Sequence, residues 1–221
     1  MNIEEYASSV GLSIVKKLGH GTFGNAFLTN KQEVIKKTND PNEVLTALRQ
    51  MKGETELPLA KIYAINRYEN IFFIRQEFIA TTPTLIADIN RLKMLCNYMS
   101  MTQGAKHDSH FLANRGLPQN ELNKLSSTGK SIVSLFEKTT PESMLKGGVL
   151  RELDAKLEHV GYNRELDLVF YDLRDGSIEP HEALSLLNTY LPEIGIDNAI
   201  PSLEGNNNET TQRVNRVSPR Y

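Results

Sequence analysis

A glycine-rich turn between two strand-like runs contains the residues of this sequence that could bind phosphate. The glycines follow the spacing G-x-G-x-x-G, at Gly19, Gly21 and Gly24, and Lys36 ends the run after them. Glycine lets backbone N–H groups approach anionic oxygens without a side chain in the way. A lysine one strand later would add a positive charge toward the same oxygens. The spacing predicts a phosphate site, although a plain β-hairpin with a surface lysine has the same local pattern.

The residues after the glycines distinguish two kinds of nucleotide site. A dinucleotide-binding fold needs a helix directly after the glycines, and Asp40 would then be the acid that binds the ribose. Here residues 26–29 are strand-like, a short turn follows, and residues 33–36 return as a second strand. Strand, glycine loop, strand and lysine-bearing strand is the order found in protein kinases. The predicted ATP-phosphate loop comprises Gly19, Gly21, Thr22, Phe23 and Gly24, with Phe23 shielding the phosphates.

Length and charge limit the classes of function. At 221 residues the chain can form one domain or two small lobes. The 25 basic and 27 acidic residues leave a net charge of −2, so nothing indicates nucleic acid or a membrane surface as a partner. The single cysteine, Cys96, excludes an internal disulfide framework and fits a reducing compartment. We expect a monomer.

The first eighty residues predict five strands with one helix inserted after the third. Asp40 can cap that helix and Pro41 suits its first turn, so we place it over residues 41–52. This is the layout of a kinase small lobe. We therefore predict an α+β protein with a minimal bilobal protein-kinase-like fold. Its parts would be an N-lobe over 1–80, a reduced, mainly helical C-lobe over 81–203, and a disordered tail over 204–221.

A second group of residues matches the metal and catalytic positions of a kinase. Asp154 and Lys156 resemble the start of the D-x-K-P-E-N loop, and Asp172 follows Asp154 by eighteen residues after an apolar strand. Asp154 would orient a substrate hydroxyl, Lys156 would offset phosphoryl charge, and Asp172 would hold Mg²⁺. His159 stands where asparagine is usual as a second metal contact. Imidazole is a poor Mg²⁺ ligand, because this hard cation prefers oxygen.

The same segment has another interpretation. Val149, Leu150, Leu153, Leu157 and Val160 are spaced like one apolar helix face. In such a helix the charges between them would be solvated surface groups with no catalytic role. The local sequence leaves this alternative open.

The strand ending near residue 79 resembles the kinase hinge. Backbone groups of Glu77 and Ile79 would bond the adenine edge of ATP, with Gln76 at the gatekeeper position. The glutamate that pairs with the lysine is either Glu43, seven residues after Lys36, or Glu54. Glu43 could instead serve the helix dipole.

A very short kinase with a complete glycine loop and no A-P-E segment resembles the HopBF family of bacterial type III secretion effectors. The resemblance covers about residues 12–190 and is carried by the glycine loop, Lys36, Asp154, Lys156 and Asp172. It implies an ATP- and Mg²⁺-dependent serine/threonine protein kinase, delivered by a type III system into the host cell cytoplasm. The implied partner is the host ninety-kilodalton heat-shock chaperone, which phosphorylation would inactivate. A pseudokinase binding module and a small-molecule phosphotransferase of similar fold remain the alternatives.

Overall fold

A computed structural model of the chain describes residues 1–20, 24–55, 57–103, 112, 117–139, 156–172 and 178–193. This part is an α+β protein with a five-stranded antiparallel sheet, a two-stranded sheet and several helices. None of the described helices has the length and apolar character needed to cross a membrane. In chain order the elements are α1 (Ile3–Ser9), β1 (Ile14–His20), β2 (Gly24–Thr29), β3 (Glu33–Thr38), α2 (Pro41–Met51), β4 (Ile62–Tyr68), β5 (Ile71–Glu77), α3 (Pro83–Gln103), α4 (Gln119–Leu122), α5 (Ser127–Glu137), a 3₁₀ turn (Leu157–His159), β6 (Val160–Tyr162), β7 (Leu168–Phe170) and α6 (Pro180–Glu193).

The large sheet has the strand order β1-β2-β3-β5-β4, which confirms the five predicted strands. The helix predicted after the third strand is confirmed as α2, where the Asn42 backbone N–H donates to Asp40 Oδ1 at 3.0 Å. Strand β2 begins at Gly24, so a strand and no helix follows the glycine loop. The dinucleotide-binding alternative is therefore wrong, and Asp40 is a helix cap.

The first eighty residues contain two helices, so the expectation of one helix is wrong. Helix α1 begins with a capping box, in which Asn2 and Glu5 each donate a backbone N–H to the other's side chain at 2.8 Å. It packs on the outer face of the large sheet, and its Tyr6 ring stacks on Phe73 at a centroid distance of 4.1 Å. A seven-residue helix has little stability of its own, so this packing maintains it.

Helices α2 and α6 cover the inner face of the same sheet. Val44 and Leu48 of α2 form one buried cluster with Ile74 of β5 and with Ala183 and Leu187 of α6. The sequence predicts α6 as a helix over residues 180–191, and the structure confirms a helix there. Although α6 belongs by position to the predicted C-lobe, it packs on a helix of the predicted N-lobe.

A second core lies between α3, α5 and the β6–β7 hairpin. Leu92, Phe136 and Phe170 are fully buried in it. Leu157 lies in a single 3₁₀ turn and Val160 enters a strand, so the alternative of one helix through residue 160 is wrong. The predicted tail over residues 204–221 lies outside the described residues.

Candidate active site

Lys36 stands on the inner face of the sheet because side chains alternate along β3. Its neighbour Ile35 is buried under α1 on the outer face. Lys36 Nζ donates to Glu43 Oε1 at 3.0 Å and to Asp172 Oδ1 at 2.6 Å. The exposed fraction is 11% for the Lys36 side chain and 47% for that of Asp172, so the cluster is buried on the lysine side and open at the aspartate. Residues from a strand, a helix and a distant hairpin therefore meet at one ammonium group.

The structure identifies the glutamate partner of Lys36 as Glu43. Glu43 lies in the first turn of α2, directly beside β3. Glu54 instead pairs with Lys52 through a 3.3 Å contact from Nζ to Oε1. Of the two candidates from the sequence, only Glu43 reaches the lysine.

The charges of this cluster stabilise one another. Burial alone would lower the pKa of Lys36, but the carboxylates of Glu43 and Asp172 raise that pKa above its ordinary value. Burial alone would raise the pKa of Asp172, but the Lys36 ammonium holds it below its ordinary value. At neutral pH the site therefore contains an ammonium and a carboxylate in contact.

Strand β7, which leads into Asp172, is held by contacts on both of its sides. Val160 pairs with Phe170 in the hairpin. On the other side of β7, the Phe170 N–H donates to Pro58 O at 2.9 Å and the Ala60 N–H donates to Phe170 O at 2.8 Å. Asp172 itself has a φ of 66°. A left-handed conformation is uncommon outside glycine, although aspartate adopts it more readily than most residues.

His159 lies beside Asp172, as the sequence predicts, and its Nε2 is 3.7 Å from Asp172 Oδ2. Burial lowers the pKa of His159 even though the Asp172 carboxylate opposes this shift, so the imidazole is neutral at neutral pH. Lys156 is exposed and directly precedes the 3₁₀ turn. Its positive charge lowers the pKa of both His159 and Asp172. Asp154 lies outside the described residues. Within the described ranges, no cluster of three or more His, Cys, Asp or Glu side chains could hold a metal ion.

A cleft with a cavity volume of about 30 Å³ opens at this cluster, between the large sheet, α2 and the end of β7. Gln76, the predicted gatekeeper, is buried and lines it. Both charged and apolar side chains line the cleft. Its lining includes Lys36, Glu43, Asp172, Leu59, Ile74 and Phe170.

The two predicted hinge residues, Glu77 and Ile79, differ in how many of their backbone groups are available to bond an adenine base. The Glu77 backbone N–H donates to Lys61 O at 2.8 Å and is therefore already used. Among the described residues, neither backbone group of Ile79 makes a hydrogen bond. A Cβ built on Gly161 would lie 2.3 Å from Ile79 Cγ2, so glycine there lets β6 approach the hinge.

The two described glycines of the phosphate loop differ in their surroundings. A Cβ on Gly24 would lie 2.4 Å from the backbone oxygen of Lys37, so close strand packing requires this glycine. A Cβ on Gly19 would meet nothing within 4 Å. Gly21, Thr22 and Phe23 lie outside the described residues. The sequence alone treated all three glycines alike, but Gly24 also has a structural reason to be glycine.

The contacts of Arg164 with the turn between β2 and β3 and with Glu77 have no counterpart in any local sequence pattern. Arg164, at the tip of the β6–β7 hairpin, donates from Nη2 to Lys31 O at 3.3 Å and to Gln32 O at 3.2 Å. Its backbone N–H donates to Glu77 Oε1 at 3.0 Å. The partners lie far apart in the chain, so no local pattern could have indicated the contact.

No family model matches this chain, and a search of the curated proteins returns no match. The function is therefore inferred from the residues of the site, above all from the contacts of Lys36 with Glu43 and Asp172.

Proposed function

We propose that the protein is an ATP-dependent serine/threonine protein kinase with a minimal bilobal protein-kinase-like fold. The observation that carries this proposal is the position of Lys36, whose Nζ contacts Glu43 at 3.0 Å and Asp172 at 2.6 Å. In protein kinases a lysine on the third strand pairs with a helix glutamate, and an aspartate after a later strand binds the metal. The same three residue types meet here, on β3, on α2 and after β7.

The donor set suits the phosphates of ATP with Mg²⁺. A carboxylate oxygen is the ligand that Mg²⁺ prefers, and half of the Asp172 side chain is open to the cleft. The Lys36 ammonium is a suitable partner for phosphate oxygens. Gly19 leaves open space where a ligand could approach the backbone. When bound, ATP supplies the phosphoryl group and Mg²⁺ neutralises its charge.

Each residue then has one task. Lys36 holds phosphate oxygens, and Glu43 keeps its ammonium directed into the cleft. Asp172 holds the metal. Asp154 orients the substrate hydroxyl, and Lys156 offsets charge on the transferred group. Positioning and electrostatic stabilisation would supply the catalysis.

The role of a secreted effector belongs to the same proposal and rests on the resemblance to the HopBF family. The target would be the ninety-kilodalton heat-shock chaperone of a eukaryotic host. One structural feature supports a reduced kinase of this kind: Asn42 Nδ2 donates to Ile178 O at 2.7 Å, soon after Asp172 in the chain. Only residues 173–177 separate Asp172 from that contact, which leaves no room for a long activation segment.

A pseudokinase is the second candidate, and His159 favours it. The imidazole occupies the position of the usual asparagine, 3.7 Å from the Asp172 carboxylate. A poor Mg²⁺ ligand there would weaken metal binding and leave a module that binds ATP without transferring phosphate.

The test is transfer of radiolabelled phosphate from ATP with Mg²⁺, using a eukaryotic cell lysate as substrate. Wild type is compared with Asp172→Ala and with Asp167→Ala, an exposed aspartate of the same hairpin that serves as the matched control. We expect a dominant labelled band near ninety kilodaltons with wild type and Asp167→Ala, and none with Asp172→Ala.

Other outcomes separate the parts of the proposal. Many labelled bands would support the kinase and exclude the single chaperone target. No label, with ATP binding still measurable, would support the pseudokinase. Transfer that survives in Asp172→Ala would exclude the assigned metal site.

A further inference from the structure

His159 and Asp172 leave the β6–β7 hairpin side by side. The last ladder pair is Val160 with Phe170, and the Tyr171 N–H then donates to His159 O at 2.8 Å. The His159 N–H donates to Lys156 O at 3.0 Å, so the backbone of the histidine is held on both sides. The hairpin therefore presents an imidazole and a carboxylate together at one end.

The distance between the two side chains suits a shared ion. His159 Nε2 lies 3.7 Å from Asp172 Oδ2, which is too far for a hydrogen bond. Two donors that are each about 2.1 Å from one metal ion lie at most about 4.2 Å apart. Both atoms could therefore contact the same ion while the other oxygen, Oδ1, keeps its bond to Lys36.

The imidazole has one nitrogen available for this purpose. His159 Nδ1 is buried and has no hydrogen-bond partner among the described residues, whereas Nε2 faces the Asp172 carboxylate. Two protein ligands are enough for a nucleotide-bound ion, because the phosphates supply further oxygens.

The mixed nitrogen and oxygen set selects among divalent ions. Mg²⁺ favours oxygen ligands and near-ideal octahedral geometry, whereas first-row transition-metal ions accept imidazole nitrogen. We propose that His159 Nε2 and Asp172 Oδ2 bind one transition-metal ion, Mn²⁺ in preference to Mg²⁺, and that His159 supplies the preference. The proposal rests on the proposed role of Asp172 in metal binding, and it names the ion that this site takes.

Direct ion binding tests the proposal without relying on activity. Free Mn²⁺ is followed by its electron paramagnetic resonance signal as the full-length protein is added, alone and with a non-hydrolysable ATP analogue. Mg²⁺ is then added as competitor. We expect wild type to bind Mn²⁺ at least about tenfold more tightly than Mg²⁺. His159→Asn, which restores the usual kinase residue, should weaken Mn²⁺ binding at least about tenfold. The same variant should keep or increase the affinity for Mg²⁺, because asparagine supplies an oxygen ligand.

Two controls make the result specific. His181→Asn changes an exposed histidine on α6 and should leave both affinities unchanged. A second measurement needs no variant: in wild-type protein, substoichiometric Mn²⁺ should broaden the imidazole proton resonances of His159 before those of His181. Equal broadening of both histidines, or Mn²⁺ affinity that is unchanged in a folded His159→Asn, would overturn the inference.

The inference and the proposed function fail in different ways. Histidine-dependent Mn²⁺ binding without phosphate transfer would retain the metal site and exclude the kinase. Phosphate transfer with equal use of Mg²⁺ and Mn²⁺ in wild type and His159→Asn would retain the kinase and exclude the ion preference.

Discussion

The two faces of the five-stranded sheet are built from adjacent residues with opposite character. On the outer face Ile35 and Phe73 pack under α1, and the polar contacts there include the 2.7 Å hydrogen bond from Tyr6 Oη to Asn66 Oδ1 and the 2.8 Å ion pair of Arg75 with Glu33. On the inner face, Lys36 follows Ile35 along the same strand and contacts two carboxylates. One strand therefore serves both an apolar core and a charged cleft.

This difference between the two faces distinguishes residues that stability requires from residues that it does not require. Burial of apolar side chains accounts for the outer face, because it removes their surface from water. A buried lysine is costly unless it is paired, and well-packed apolar residues often stabilise a core as well as a buried ion pair does. A residue chosen for stability alone would not be Lys36. The inner face is therefore where function is expected, and three sets of variants test this contrast.

The largest effect is expected from a pair of neighbouring substitutions on β3. Lys36→Met should reduce phosphate transfer at least about a hundredfold while the protein stays folded, because a phosphate-binding charge is lost. Ile35→Ala should lower the free energy of unfolding by about 2–5 kcal/mol, because it leaves a cavity under α1. Urea denaturation and transfer rates are measured for both. Phosphate transfer that survives in a folded Lys36→Met would contradict the role assigned to Lys36.

An intermediate effect is expected at the two described glycines of the phosphate loop. Gly24→Ala places a Cβ against the Lys37 backbone oxygen and should cost about 1–3 kcal/mol of stability. Gly19→Ala meets open space, so its thermal midpoint should match wild type while the KM for ATP rises several-fold. Thermal unfolding and ATP titrations distinguish the two. An unchanged KM in Gly19→Ala would argue against a phosphate-binding role for this glycine.

The smallest effect at neutral pH is expected at Tyr6, on the outer face. Burial raises the pKa of Tyr6 from 10.0 to about 12. The unfolded chain loses this proton first, so the stability from the neutral hydroxyl is complete below pH 10.0 and falls as pH rises toward about 12, by up to about 2–3 kcal/mol. Tyr6→Phe should cost about 1 kcal/mol at pH 7, because Asn66 loses its donor.

The Tyr6→Phe variant also isolates the pH effect from that of other titrating groups. Urea midpoints between pH 8 and pH 12 should fall less steeply for Tyr6→Phe than for wild type. Parallel curves would show that Tyr6 does not carry the alkaline sensitivity. Phosphate transfer at pH 7 should be unchanged, because the outer face does not reach the cleft.

Local sequence patterns were sufficient to predict the strands and the helix nearest the glycine loop. Strands β1 to β3 and helix α2 follow from short-range signals, namely alternation of side chains, a turn and the cap at Asp40. Helix α1 was missed because it is only seven residues long and depends on the sheet for stability. Strand β6 was missed because three residues carry too little pattern, and it is paired by β7 and by Ala80.

The candidate site, like the fold, was predicted from the sequence only in part. Residue types and spacing were enough to predict Lys36, Asp172 and His159 as site residues from the kinase pattern, and the structure places Lys36 and His159 beside Asp172. They left Glu43 and Glu54 as alternatives, and only the packing of α2 beside β3 decided for Glu43. The side-chain contacts of Arg164, more than a hundred residues from their partners, had no signal in the sequence.

The sequence by itself determined which residues could do chemistry and which local elements carry them, because helix caps, turns and alternation act over a few neighbouring residues. Tertiary structure decided which of those residues meet. Lys36 and Asp172 lie 136 residues apart in the sequence. Their contact depends on the β6–β7 hairpin, which is held by backbone hydrogen bonds between Phe170 and residues 58–60. Such contacts form when distant segments bury a common apolar surface, and that burial depends on the whole chain and not on any local pattern.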